Sequence, residues 1–295
     1  MNTLEKHLAK LQKLPCFTEV AQIAPITTGL SQPSYRVFAD HKHYFAKYVA
    51  QQYLSDEIAI HQSTAKAQLS PAIIYQDQHW LISEFIHSTD IYQTKLPLED
   101  KISNAVTLMV RFHQLSVPCE SLDVAAIYNG LINPQKNHYS SLQLALFQQL
   151  IAAIKVSIDA TSKQVNCHGD LNFNNILMDE TERNWLIDFE CSCKAPAEFD
   201  IAMLVAVNEL PHSHITAITK QYLAVKPQNK LSLKVINHFL LFSYLINSLW
   251  YNKRIAEQEH GEKFAALAKT QWQKLQAQII QMELPIDSSI LTKLI

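Results

Sequence analysis

From residue 167 to residue 190 the chain reads CHGDLNFNNILMDETERNWLIDFE. Two short apolar runs, residues 176–178 and 185–187, flank a polar segment, which is the pattern of a short β-hairpin. In an antiparallel hairpin, the residue before the first strand lies beside the residue after the second strand. The pattern therefore predicts that Asn175 and Asp188 lie close together.

An amide and a carboxylate side by side suit a magnesium ion. Mg²⁺ prefers oxygen ligands and takes one or two carboxylates from a protein, while substrate phosphates and water complete its octahedron. Asp170 precedes Asn175 by five residues, so its carboxylate can accept a hydrogen bond from an alcohol that faces a metal-bound phosphate. Taken separately, residues 168–170 are a turn and Asp188 is an exposed strand end. That alternative leaves the joint spacing unexplained.

A second charged position lies far upstream of this stretch. Alternation along residues 43–49 places Lys47 on the same face as Phe45 and Val49. A buried ammonium without a partner is costly, and both phosphate oxygens and the carboxylate of Glu57 are candidate partners. The alternative is a lysine on an edge strand whose ammonium extends to solvent.

Residues 27–34 read TTGLSQPS and stand directly before a predicted strand. Backbone amides of such a small, polar segment can cover phosphates, with Gly29 and Ser31 as the candidate residues. The segment has one glycine and does not match the G-x-G-x-x-G pattern. As an isolated segment it is a turn.

The pattern of the chain changes near residue 98. Upstream, strand patterns and one helix pattern predict a small antiparallel sheet with a single helix. The strands are predicted at 34–39, 43–49, 72–75 and 79–85, and the helix at 57–69. Downstream, apolar residues recur at helical spacing, and the hairpin is the lone strand-like interruption. These helices are predicted at 100–115, 141–156, 199–210, 214–223, 232–254 and 262–282. The predicted class is α+β.

Bulk composition excludes several classes of protein. The chain has 295 residues, 48% of them hydrophobic, and a formal net charge of −2, so it lacks the basic excess of a nucleic-acid-binding protein. The N-terminus lacks a signal sequence, which favours a cytoplasmic protein. Residues 235–251 are the most apolar stretch, but polar residues interrupt them and a buried helix is predicted, with no membrane partner. Five cysteines without a regular framework indicate thiols, not disulfides or a zinc site.

The quoted motifs resemble those of the aminoglycoside phosphotransferase and choline kinase superfamily, nearest to its thiamine kinase and choline kinase branch. Residues 167–177 resemble the catalytic loop of that family, and residues 186–190 resemble its metal-binding segment. The resemblance implies a bilobal, protein-kinase-like fold. It places a small antiparallel nucleotide-binding lobe with one helix at 1–87, and a larger, mainly helical lobe with the catalytic loop and the acceptor site at 88–295.

The same resemblance implies a role for each motif residue and implies ATP and Mg²⁺ as cofactors. It implies that Asp170 is the catalytic base and that Asn175 and Asp188 bind the metal. It also implies that Lys47 contacts the nucleotide phosphates, with Glu57 as its ion-pair partner. Residues 83–86 resemble the hinge that receives adenine through backbone groups, here those of Glu84 and Ile86. Asp200 matches an aspartate that supports the catalytic loop without reacting.

The acceptor site is implied by a weaker likeness. Residues 245–252 resemble the aromatic helix that encloses the quaternary ammonium group in choline kinases, so Trp250, Tyr251 and Glu209 are candidates for a cation-binding box. The alternative is that both rings pack into the core. Glu190 stands where protein kinases carry glycine, as in choline-kinase-like and thiamine-kinase-like members, and is a further acceptor candidate.

These features predict an ATP- and magnesium-dependent kinase that phosphorylates the hydroxyl of a small, cationic metabolite. Thiamine is the first choice, with choline and ethanolamine beside it. The alternatives are an aminoglycoside or amino-sugar phosphotransferase and an ATP-binding module without turnover. An aminoglycoside site calls for a broad acidic surface, yet residues 118–136 contain as acidic residues only Glu120 and Asp123.

Overall fold

The computed structural model describes residues 3–26, 32–49, 54–159, 163–256 and 261–294. The chain divides into two compact units, each assembled from separate stretches. The first unit comprises Met1–Leu96, Leu115–Cys119 and Asn174–Glu190, and the second comprises Pro97–Gln114, Glu120–Phe173 and Cys191–Ile295. Strands dominate the first unit and helices the second, which confirms the α+β class. The lobe boundary at residue 87 stays a prediction.

Over the described residues, the first unit contains a five-stranded antiparallel sheet with the strand order β1-β2-β3-β5-β4. Its strands are β1 (Val20–Ile26), β2 (Ser34–Ala39), β3 (Lys42–Tyr48), β4 (Ile73–Gln76) and β5 (Trp80–Glu84). The turn from β2 to β3 has Asp40 and His41 at positive φ, which is the geometry of a two-residue hairpin turn. The carboxylate of Asp40 accepts hydrogen bonds from the N–H groups of Thr18 and Glu19, and these bonds fix the turn against β1.

Helices cover this sheet. Helix α1 (Thr3–Leu11) supplies Leu11 to a core that includes Tyr35 and Trp80. Helix α2 (Leu54–Lys66) supplies Ile58 to a smaller cluster with Val49 and Leu81. The prediction of a single helix in this part of the chain is therefore wrong. Helix α1 has only nine residues and no long periodic pattern, so its stability depends on packing against the sheet.

The hairpin predicted from residues 176–187 is confirmed. Strands β8 (Ile176–Asp179) and β9 (Asn184–Leu186) pair antiparallel with Ile176 opposite Leu186. Strand β6 (Ser88–Asp90) pairs with the other edge of β8. All three strands belong to the first unit.

The second unit is built mainly from helices. All six helices predicted for it are confirmed, and the helix at Val124–Ile132 was not predicted. The helices are α3 (Leu98–Phe112), α4 (Val124–Ile132), α5 (Ser141–Asp159), α6 (Ala197–Val207), α7 (His214–Val225), α8 (Leu233–Ala256) and α9 (Gly261–Gln281). Helix α8 packs against α9, α6, α5 and α4. Its residues are buried around most of its circumference, so its apolar character reflects a central place in the unit.

The buried helix predicted at 235–251 is confirmed and lies within α8. Among the described residues, α5 is the helix that is long and apolar enough to cross a membrane by length and composition. A third of its 18-residue window, Ser141–Ile158, is buried. Phe147, Leu150 and Ile154 lie on the buried side. Helix α5 packs against α8, and burial accounts for the apolar residues on this side of α5 alone.

Another strand pair lies in the second unit, so the hairpin is not the lone strand-like interruption that was predicted. Strands β7 (Val165–Cys167) and β10 (Cys193–Ala195) pair antiparallel, with Cys167 opposite Cys193. A three-residue strand is too short for an alternating pattern to identify it. The pair fixes the chain directly before residue 168.

The pH dependence of folding provides a test of the α2 packing. His61 is buried, its Nε2 lies 3.0 Å from the carbonyl oxygen of Pro71, and burial lowers the pKa of its imidazole to about 4. The folded state thus favours neutral His61. This contribution to stability is complete above pH 6.5 and is lost as the pH falls toward 4.

Between pH 7.5 and pH 5.0 we expect titration of His61 to cost about 2 kcal/mol of unfolding free energy. His61→Gln retains a donor for Pro71 but does not titrate. Urea unfolding at both pH values gives the change in unfolding free energy between them. That change should be smaller in the variant than in the wild type by about 2 kcal/mol. An equal difference in both proteins would contradict the assignment.

Candidate active site

Lys47 on β3 has a buried ammonium group surrounded by carboxylates. Its side chain is 9% exposed, and Nζ lies 2.8 Å from Glu57 Oε1 and 2.8 Å from Asp188 Oδ1. Glu190 Oε2 follows at 3.6 Å. Lys47 is therefore not a surface lysine that extends to solvent. The structure pairs Lys47 with Glu57 as the sequence predicts, and it adds Asp188 and Glu190.

The electrostatic balance of this cluster favours a cation. Burial lowers the pKa of Lys47. The carboxylates of Asp188, Glu57 and Glu190 raise that pKa by more than burial lowers it, so the net shift is upward. The ammonium remains charged at neutral pH, and its contribution to stability is lost only as the pH rises above its ordinary value of about 10.5. One ammonium beside these three carboxylates gives a formal charge of 1 − 3 = −2. A divalent cation would balance that excess.

Asn175 and Asp188 lie at the same end of the β8–β9 hairpin. The N–H of Ile187 donates a hydrogen bond to the carbonyl oxygen of Asn175 at 3.0 Å, which sets Asp188 directly beyond the pair. Asp188 has a φ of 66°, and this left-handed conformation turns the chain as it leaves the hairpin. Its side chain is 29% exposed, so part of the carboxylate stays open to solvent. The two residues that the sequence predicts as magnesium ligands are thus neighbours in the fold.

The predicted phosphate-binding residues Gly29 and Ser31 lie outside the described residues. The segment that follows them is described from Gln32, whose Nε2 donates a hydrogen bond to Glu190 Oε2 at 3.3 Å. Glu190 thus contacts Gln32 and Lys47 within the first unit, whereas the other acceptor candidates belong to the second unit. Its role toward an acceptor stays a prediction.

The predicted hinge follows β5. The N–H of Glu84 donates to the carbonyl oxygen of Ala72 at 2.9 Å, so that amide belongs to the sheet. The carbonyl oxygen of Ile86 accepts a hydrogen bond from the Ser88 hydroxyl at 3.1 Å. The carbonyl oxygen of Glu84 accepts a hydrogen bond from the Ser83 hydroxyl at 3.4 Å. The role of Glu84 and Ile86 toward adenine stays a prediction.

In the second unit, the carboxylate of Asp200 holds the loop that carries Asp170. Asp200 is completely buried, and its oxygens accept hydrogen bonds from the N–H groups of His168 and Gly169, both at 2.8 Å. His113 Nε2 lies 2.9 Å from the same carboxylate. The N–H of Asp170 is 3.3 Å from His168 Nδ1. This geometry matches the supporting role that the resemblance implies for Asp200.

Tyr222 extends this network and gives no signal in the sequence. Its hydroxyl lies 3.0 Å from His113 Nδ1 across a separation of 109 residues. Burial, with a smaller effect of Cys167, raises the pKa of Tyr222, so the phenol stays protonated and can donate to Nδ1. His113, Cys167 and Asp200 lie close enough to share a metal ion. Because the Asp200 oxygens already accept hydrogen bonds, we interpret the group as structural.

Three acceptor candidates, Trp250, Tyr251 and Glu209, lie in the second unit. Trp250 and Tyr251 form an edge-to-face pair at 5.3 Å, and both rings contact the buried Phe264. Burial raises the pKa of Tyr251 to about 12, and the carboxylates of Asp170 and Glu209 raise it in addition. The second unit therefore brings Tyr251 into the electrostatic range of both acids, although both rings also take part in core packing.

Two cationic side chains of the protein also approach these residues. The guanidinium of Arg254 lies 5.7 Å from the centre of the Trp250 ring. Burial lowers the pKa of Lys274, and the charge of Glu209 partly offsets that effect. A cationic acceptor would share Trp250 and Glu209 with these groups.

The comparison with sequence families and curated proteins finds kinases. A family model described as the phosphotransferase enzyme family matches residues 22–229. The chain is similar to probable choline kinase 2 of Arabidopsis thaliana, with 27% identity over 157 residues that cover 50% of this chain and 44% of that protein. The chain thus spans less than half the length of that relative.

Solved structures with similar folds cover nearly the whole chain. A choline/ethanolamine kinase family protein from Mesorhizobium loti has a TM-score of 0.73 at 16% identity, and the match covers 99% of this chain and 98% of that one. The choline kinase LicA from Streptococcus pneumoniae has a TM-score of 0.72 at 19% identity, with coverages of 94% and 100%. These likenesses confirm the predicted fold.

Removing the Lys47 ammonium should leave the buried carboxylate of Glu57 without its partner. We expect Lys47→Met to lower the free energy of unfolding by about 3 kcal/mol. Adding Glu57→Gln should restore part of that loss, because the most buried of the three unpaired carboxylates is then replaced by a neutral amide. Urea unfolding of both variants measures the effect, with Lys42→Met on the exposed part of β3 as control. Additive losses in the double variant would contradict the pairing.

Gly169 should tolerate no side chain. Its φ is 79°, and an added Cβ would overlap the carbonyl oxygen of Cys191. We expect Gly169→Ala to lower the free energy of unfolding by about 2 kcal/mol or more. A Cβ added to Gly130 on α4 would meet open space, so Gly130 is the matched control. Gly130→Ala should be neutral or stabilising. Equal melting temperatures for the two variants would contradict the geometry.

Proposed function

The chain belongs to the phosphotransferase enzyme family, and we propose that it is a cytoplasmic kinase that transfers the γ-phosphoryl group of ATP to the hydroxyl of a small, cationic metabolite. The observation that carries the proposal is the buried ammonium of Lys47, held at 2.8 Å by both Glu57 and Asp188. Packing alone gives no reason to bury one lysine among acidic groups. A lysine that positions a polyphosphate beside a metal site has such a reason to be there.

In this proposal the first unit binds the nucleotide. Lys47 contacts the phosphates, Glu57 fixes the lysine, and the backbone of Glu84 and Ile86 receives the base. Asn175 and Asp188 would hold a magnesium ion, which when bound neutralises phosphate charge. The solved structure of LicA in complex with AMP, a protein of similar fold, supports an adenine nucleotide. Gly29 and Ser31 are proposed to cover the phosphates.

Asp170 accepts the proton of the acceptor hydroxyl, or orients that hydroxyl toward the phosphate. Its loop is fixed by Asp200 through the N–H groups of His168 and Gly169. A fixed carboxylate raises the fraction of bound complexes that are ready to react. The protonated phenol of Tyr251 lies in the electrostatic range of this carboxylate.

The acceptor is proposed to be a primary alcohol with a positive charge, such as choline, ethanolamine or thiamine. Trp250 and Tyr251 would contact the cation, each ring contributing about 0.5–2 kcal/mol, and Glu209 would add charge complementarity. Glu190 is proposed as a further acceptor residue. The similarity to a probable choline kinase and to a choline/ethanolamine kinase family protein favours choline and ethanolamine over thiamine. No nucleic acid or membrane partner is part of the proposal.

The decisive measurement is ADP release with ATP and magnesium across choline, ethanolamine, thiamine, amino sugars and kanamycin. With the preferred acceptor, we expect Asp170→Asn to lower kcat by about 10²–10⁴-fold, because the variant loses the base. Asp123→Asn is the matched control, since it makes the same change at the N-terminus of α4 and should leave turnover unchanged.

Each outcome separates the candidate functions. Turnover with kanamycin but not with small cations would replace the metabolite kinase with an aminoglycoside phosphotransferase. If no acceptor supports turnover that depends on Asp170, the kinase proposal fails. In that case, a rise in melting temperature on adding ATP and magnesium, abolished by Lys47→Met, would identify a nucleotide-binding module without turnover.

A further inference from the structure

The side chain of Asn208 holds the loop directly after Asp170. Its Oδ1 accepts a hydrogen bond from the N–H of Phe173 at 2.8 Å, and its Nδ2 donates to the carbonyl oxygen of Leu171 at 2.9 Å. The same Nδ2 donates to the carbonyl oxygen of Leu204 at 2.9 Å. Both ends of the amide are thereby occupied, and the opposite amide orientation would lose all these bonds.

Helix α6 therefore fixes the loop on both sides of Asp170. Asp200 in its first turn holds residues 168 and 169, and Asn208 at its C-terminal end holds residues 171 and 173. The two side chains are eight residues apart, which is about 12 Å along a helix. Asp170 lies between the two attachments.

We propose that Asn208 is a positioning residue that acts through Leu171 and Phe173 to fix the carboxylate of Asp170 for phosphoryl transfer. This inference rests on the proposed kinase function. The side chains of Leu171 and Phe173 are 0% and 3% exposed, so apolar packing already attaches the loop to the unit. The amide of Asn208 adds the orientation of the backbone, which apolar packing does not specify.

The end of α6 also links the loop to the acceptor candidates. The N–H of Leu210 donates to the carbonyl oxygen of Val205, and the N–H of Glu209 donates to that of Ala206. This is the C-terminal helix motif in which glycine usually takes the left-handed position, yet here Glu209 occupies it at φ 53°. A glutamate in this conformation carries a conformational cost, and it sets its carboxylate near Tyr251. The consecutive residues Asn208 and Glu209 thus hold the loop and approach the acceptor candidate Tyr251, respectively.

The test is a double-variant cycle on turnover. We expect Asn208→Ala to lower kcat by about 10–100-fold, with the KM for ATP changed by less than about threefold. In the Asp170→Asn background, the same substitution should change kcat by less than about twofold, because the group that Asn208 positions is already gone. A merely structural role would give the same factor in both backgrounds, and that result would overturn the proposal.

Asn237→Ala is the matched control. Asn237 is a half-buried asparagine on α8 whose side chain is bonded to His212, and its loss should leave kcat unchanged. If Asn208→Ala folds poorly, Asn208→Asp serves instead, since it retains the acceptor for the Phe173 N–H and loses the donor to Leu171. Equal kcat in the Asn208 and Asn237 variants would also overturn the proposal.

A measurement without substrate separates this inference from the proposed function. Hydrogen exchange, followed by mass spectrometry on peptides that cover residues 168–176, should be faster in Asn208→Ala and unchanged in Asn237→Ala. Unchanged exchange in the Asn208 variant would overturn the positioning role even if the wild-type protein is active. Faster exchange in a protein without any turnover would support the attachment by Asn208 and refute the kinase function.

Discussion

The buried carboxylate of Asp200 is the constraint on which the loop that carries Asp170 depends. A carboxylate without solvent is costly unless hydrogen bonds satisfy it, and the donors here are His113 and the backbone N–H groups of His168 and Gly169. Two consecutive N–H groups can converge on one carboxylate because Gly169 adopts a positive φ. The charge, the glycine and the histidine are therefore mutually dependent, and Asp170 follows directly from this fixed point.

In the first unit, the buried charge is a cation, the ammonium of Lys47. Lys47 is buried beside Val49, in the apolar cluster that α2 completes through Ile58, and this packing brings Glu57 to the ammonium. The hairpin contributes Asp188 from a left-handed backbone position. Apolar packing thus determines where the charges meet. The cluster joins one ammonium to three carboxylates, so its formal charge is negative.

Much of the fold and part of the site could be predicted from the sequence. The β8–β9 hairpin, the β2–β3 hairpin and the long helices have strong local patterns, and the hairpin argument placed Asn175 beside Asp188. Helix α1 and the β7–β10 pair were missed because they are too short for a period to emerge. Tyr222 and Asn208 were missed for another reason. Their partners lie 109 and 35–37 residues away in sequence, and no local pattern reports such contacts.

By itself, the sequence determined the long helices and the two strongly patterned hairpins, and it indicated which residue types suit phosphoryl-transfer chemistry, because periodicity and turn residues act over a few neighbouring positions. Only the tertiary structure decided which groups meet. It placed Glu190 on Lys47, gave the loop of Asp170 a support on each side from α6, and set Glu209 in a conformation that glycine prefers. The physical reason is that hydrogen bonds and ion pairs join atoms that packing brings together from distant parts of the chain. Their partners follow from the packed arrangement and not from spacing along the sequence.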